Sequence, residues 1–195
     1  MLPPSIAFTA GAGQYFTFSS VSGSVSCCSG GGTFNGPDGG IFASGTTDIL
    51  STGGISGIIH SSKTMFLVGV FTDGSVPGGA GPARLDVSTA NSATVFTPLL
   101  NHTFFIGDGK NASLATQIFN APATATRFYL GFADAFDFGA PASLPGFYHD
   151  NVGSLTAMAE LSAVPEPSTY LVGAMLLIPA GLQGLRALRD RKQAA

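Results

Sequence analysis

The sequence has no tryptophan, two cysteines and three histidines, and charged residues fill only 10% of its 195 positions. Each scarcity excludes something. With 8 Lys and Arg against 11 Asp and Glu, the formal net charge of -3 leaves no basic face to neutralise phosphates, so nucleic acid is excluded as a partner. The cysteines are neighbours, Cys27 and Cys28. A disulfide between adjacent residues is strained, and no CxxC or second cysteine pair completes a thiolate metal site. They read as small residues of a strand or loop and do not fix the compartment. The histidines His60, His102 and His149 are dispersed, and no HExxH, GxSxG, P-loop or EF-hand spacing occurs. GDGKNAS (107–113) pairs Gly with Lys as a phosphate loop does. It lacks the four-residue spacer and a hydroxyl directly after Lys110, so it reads as a hairpin turn. The triplets at Asn101 and Asn111 match the glycosylation pattern as short polar triplets do by chance. These absences describe a binding or structural protein, not an enzyme.

What is present is glycine (27), proline (12) and phenylalanine (16), with hydrophobic residues at 45%. That much apolar mass offsets the entropy of ordering, so the chain folds. Apolar residues run with period two, or in short β-branched and aromatic stretches, in QYFTFSSV (14–21), TMFLVGVF (64–71), TRFYLGF (126–132) and GSLTAMAEL (153–161). Between them lie turn-forming clusters such as SGGGTFNGPDGG (29–40) and TDGSVPGGAGPA (72–83). No helical period appears before residue 164. The pattern predicts one all-β domain over 1–163, an antiparallel β-sandwich of jelly-roll type.

Residues 164–195 differ in kind. VPEPS is followed by an uncharged, mostly apolar stretch over 168–185, near the minimum that crosses a hydrocarbon core as a helix, and then by Arg186, Arg189, Arg191 and Lys192. Charge appears only after the apolar run, as in a single C-terminal transmembrane helix with its basic end in the cytoplasm.

The motif Val164, Pro165, Glu166, Pro167, Ser168, the short apolar helix and the basic stop together resemble the PEP-CTERM sorting signal of Gram-negative bacteria. The resemblance implies an inner-membrane intermediate recognised and cleaved by exosortase, and then a life at the cell surface in association with exopolysaccharide and biofilm. It also implies an N-terminal leader. MLPPSIAFTAGAGQYF has no basic segment and no sustained apolar run, so either the start is internal to a longer reading frame, the favoured reading, or export takes another route.

Within the domain, Asp134 closes an apolar stretch, and Asp150 and Asn151 precede the next one. If both stretches are strands flanking one loop, three oxygen-bearing side chains meet at one end of the sandwich. Calcium takes six to eight such oxygens from a flexible loop; the competing reading is ordinary turn chemistry. The segment from QIFNAPATATRFYLGFAD through PGFYHDNVGSL resembles the calcium-dependent galactophilic lectins of bacteria, small jelly-roll sandwiches. By that resemblance one calcium is held by Asp134, the carbonyl of Phe147, Asp150 and Asn151, with a further carbonyl from an early loop assigned to Cys27. Sugar hydroxyls complete its shell beside Asp134 and Asp150, with His149 within reach of the ligand or simply exposed in its turn. About ten residues, 135–144 with Asp137 among them, stand where these lectins have almost none, so the loop either blocks or remodels the sugar site. The resulting expectation is an exported, calcium-dependent carbohydrate-binding protein. Its rival is a surface or matrix protein with no specific ligand, and a third reading, a polysaccharide hydrolase, needs two carboxylates set about 5 to 10 Å apart.

Overall fold

The computed structural model describes residues 3–42, 45–136, 138–139 and 141–164. The chain divides into two units, Met1–Ala163 and Val164–Ala195, and every described strand belongs to the first. Among the described residues no helix is long and apolar enough to cross a membrane. The expected transmembrane stretch, the motif from Pro165 to Ser168, and Arg186, Arg189, Arg191 and Lys192 lie outside the described residues.

The architecture is all-β with several sheets. Among the described residues eleven strands run as β1 (Ser5–Ala7), β2 (Gln14–Ser26), β3 (Thr47–Ile49), β4 (Ile58–His60), β5 (Leu67–Thr72), β6 (Leu85–Asp86), β7 (Val95–Phe96), β8 (Thr103–Phe105), β9 (Ile118–Asn120), β10 (Arg127–Phe132) and β11 (Val152–Ala163). They form a four-stranded sheet ordered β1-β10-β5-β8, a second ordered β11-β2-β9-β7, and a three-stranded sheet ordered β3-β4-β6. The pairing is not antiparallel throughout, as the turn-rich sequence suggested. β7 lies parallel to β9 and β4 parallel to β6, each over two residues. Those strands are joined by long excursions, and a pattern of apolar residues carries no information on strand direction.

Phenylalanine supplies the core because no tryptophan competes for it. Phe16 and Phe18 of β2 and Phe119 of β9 face Phe71 of β5, Phe104 of β8 and Phe128 of β10 in one cluster, so the two four-stranded sheets pack face to face. The Phe71 and Phe128 rings stack at 4.5 Å, and Phe16 lies 4.8 Å from Phe128. Alternate residues of the same strands point the other way. Val68 and Phe105 join Ile49 and Ile58 of the three-stranded sheet in a second cluster. β5 is therefore covered on both faces, which explains why TMFLVGVF is continuously apolar where β11, GSLTAMAEL, alternates. The long partners β2 and β11 pair from Gln14↔Ala163 to Ser26↔Val152, with a bulge at Met158/Ala159.

Candidate cation and ligand site

Asp134 follows β10 and Asn151 precedes β11, so the site lies where the last strand of one four-stranded sheet hands the chain to the other. The intervening segment is closed at its neck. Ala135 bridges Pro145, and the Gly146 N–H donates to the Asp134 carbonyl at 3.2 Å. The Pro-Gly turn thus stands directly beside Asp134 despite the spacing in sequence. The insertion is anchored away from the neck. The Phe138 ring is buried with Val25, Cys27 and Met65, and its carbonyl accepts from Asp48 N–H at 2.8 Å. Further along, the Ser143 carbonyl accepts from Leu50 N–H at 2.8 Å on the edge of the three-stranded sheet. Asp137 lies outside the described residues.

The polar groups converge as the sequence suggested. Asp134 is 1% exposed, and Asn151 Nδ2 donates to its Oδ2 at 2.5 Å. The same Nδ2 reaches the Phe147 carbonyl at 3.5 Å, and the Asp150 N–H donates to that carbonyl at 3.1 Å. Phe147 holds a left-handed backbone with φ +64°, an uncommon state for a bulky residue that aims this carbonyl at the cluster. Burial pushes the Asp134 carboxyl above its ordinary range, and the Asp150 charge adds to this. The hydrogen bonds from Asn151 and from the Ala135 N–H oppose it.

Asp150 Oδ1 and Asn151 Oδ1 are buried and accept no hydrogen bond among the described residues. Buried acceptors without a donor are costly, and here two of them stand beside a buried carboxylate. The residues fit a hard divalent cation: Asp134, Asp150 Oδ1, Asn151 Oδ1 and the Phe147 carbonyl supply only oxygen, with room in the shell for a ligand or water. No three His, Cys, Asp or Glu side chains gather as a metal group among the described residues, as follows from a set that mixes carboxylate, amide and carbonyl.

Cys27 enters differently from the expectation. Its carbonyl already accepts from Gly30 N–H at 3.1 Å and from Ser26 Oγ at 3.3 Å. The residue is buried with Val25, Met65 and Phe138; its thiol lies 2.7 Å from the Cys28 thiol and is pushed up to about 12 by burial first and then by Cys28, Asp134 and Asp150. Tyr148 was not foreseen. Its ring meets Phe132 edge-on at 5.7 Å, and although the residue is half exposed, its hydroxyl is pushed up to about 12 by burial and by the Asp134 charge. His149 is exposed, with its ring 6.0 Å from that of Phe147. The cue for an aromatic rim was the density of rings in FDFGAPASLPGFYH, a stretch otherwise made of turn formers.

The other residues that drew attention have structural roles. His60 is buried against Phe66 and Phe105, and its Nδ1 accepts from Ser62 N–H at 3.2 Å; burial and Lys63 lower its pKa. GDGKNAS is the turn expected of it: Lys110 bridges Thr116, and Asn111 Oδ1 accepts from the N–H groups of Ser113 and Ala115. Comparison of the whole chain with known protein families, curated sequences and solved structures finds no match.

Proposed function

We propose that this is an exported surface protein whose jelly-roll-like β domain binds extracellular polysaccharide through a calcium ion held by Asp134, Asp150, Asn151 and the Phe147 carbonyl. One observation carries the reading: two buried acceptor oxygens, Asp150 Oδ1 and Asn151 Oδ1, stand without donors beside a carboxylate that is 1% exposed. A cation would give all three a partner. Calcium would supply charge compensation and coordination sites for vicinal hydroxyls, with no bond of the sugar made or broken. Asn151 Nδ2 donates to Asp134 Oδ2, and an amide flip would bring Asn151 Oδ1 to the cation in its place.

Sorting rests on the sequence. β11 ends at Ala163, and Val164, the first residue of VPEPS, is 59% exposed immediately after it. The motif would thus follow directly on the last strand, open to exosortase at the inner membrane, with the basic end left in the cytoplasm. A matrix protein with no ligand is the competing reading, since Asp134 and Asn151 also satisfy one another as turn residues.

A melt of the full chain in mild detergent separates the two. Calcium at about a hundred times its dissociation constant adds about 2.7 kcal/mol, which raises the Tm by about 5 to 10 °C in a protein of this size. Asp134→Ala with Asp150→Ala abolishes the rise. A parent protein whose Tm is indifferent to calcium and chelator would sink the cation reading.

A further inference from the structure

Two phenyl rings stand outside the core at the cation site. Phe136 is 76% exposed and Phe147 is 43% exposed, in a protein whose core phenylalanines are almost wholly buried. Their centroids are 5.1 Å apart with planes tilted by 47°, so each shields part of the other while both stay open to water. Both belong to the polar cluster by connection. Phe136 comes two residues after Asp134, and Phe147 is the residue whose carbonyl accepts from Asp150 and Asn151. The neck bridge between Ala135 and Pro145 fixes the two backbones side by side, so the rings are held at the edge of the oxygen cluster. One comes from the inserted loop and the other from the turn that closes it.

We infer that Phe136 and Phe147 form an apolar shelf that receives the C–H face of a pyranose ring whose vicinal hydroxyls engage the cation. This rests on the calcium reading above and adds to it the shape of the ligand. A hard cation between oxygen ligands recognises any vicinal diol. The shelf recognises what a diol alone lacks, a rigid ring with one face of C–H groups, and covering exposed phenyl faces with such a surface is favourable. A linear polyol offers the same hydroxyls without that face. The inserted loop is therefore part of the binding surface rather than a cover over it, and its anchoring through Phe138 and the Ser143 carbonyl keeps Phe136 in place.

The test uses the full chain in mild detergent with calcium, titrated calorimetrically with the methyl pyranosides of galactose, mannose, glucose and fucose and with the matching alditols. The parent is expected to bind at least one pyranoside more tightly than its alditol. Phe136→Ala should weaken that pyranoside by about fivefold to tenfold, leave the alditol unchanged and keep the calcium-induced rise in Tm, while Phe136→Trp restores the pyranoside. Equal pyranoside affinity in Phe136→Ala and parent overturns the shelf and leaves the calcium site standing. So does a calcium-stabilised parent that binds no pyranoside. A parent with no calcium-induced rise overturns the site itself, and the shelf with it.

Discussion

Asp134 is the residue on which the site turns, and its charge works against folding when no cation is present. Burial lifts its folded pKa above the unfolded value, so its contribution favours folding while it is protonated and is lost as the pH rises through the folded value. Asp134→Asn removes the charge yet keeps an oxygen for Asn151 Nδ2. In chelator at pH 7 this variant should melt a few degrees above the parent, with the gap closing as the pH falls toward 4. With calcium the order reverses. Thermal melts over that pH range in both conditions decide it, and a variant below the parent in chelator at pH 7 would show that the carboxylate stabilises the empty site. Asp134, Asp150 and Asn151 were legible in the sequence as polar residues at strand ends. The thiol of Cys27, the hydroxyl of Tyr148 and the shelf were not, since each depends on how a loop returns to the strand it left.

At the scale of elements, the strands with the longest apolar patterns were readable, β2, β5, β10 and β11 among them. The two- and three-residue strands were not, because so short a run has no period to detect. The course of the insertion was hidden for a related reason: Phe138 and Ser143 dock on partners near residues 25 to 50, contacts made only in three dimensions. β2 and β11 show how the chain enters the site. Gly153, paired with Val25, has φ +93°, and a Cβ there would lie 2.3 Å from the Ser24 carbonyl oxygen; on the facing strand Gly23, paired with Leu155, has φ +98° and would meet the Ser154 carbonyl at 2.2 Å. The first of these close approaches lies two residues after Asn151. Gly153→Ala should lower the Tm by about 5 °C or more, since both backbone strain and a clash oppose it, and should also weaken the calcium response by displacing Asn151. A fully retained calcium response in a folded Gly153→Ala protein would separate this glycine from the site.

For the whole molecule, the short apolar runs and the turn clusters between them already pointed to an all-β protein. The third sheet on the far face of β5 and β8, and the parallel pairs, come from long-range packing that no local pattern reports. Where the molecule resides is a property of the entire chain, so it is tested there. Replacing Pro165, Glu166 and Pro167 by alanine in the producing cell should leave the domain folded and leave the chain at full length in the membrane fraction. Immunoblots of membrane and released fractions read this directly, and unchanged release of a shortened product would remove the sorting proposal.

β10 and β11 belong to different sheets, and those sheets touch through phenyl rings, a contact without directional bonds. A cation gripped between Asp134 and Asn151 would work as a rivet through the rim of that slippery joint. Tension drawn along a bound polymer would then be borne by both sheets together, making the holding strength of the protein a matter of dissolved calcium as much as of its own sequence.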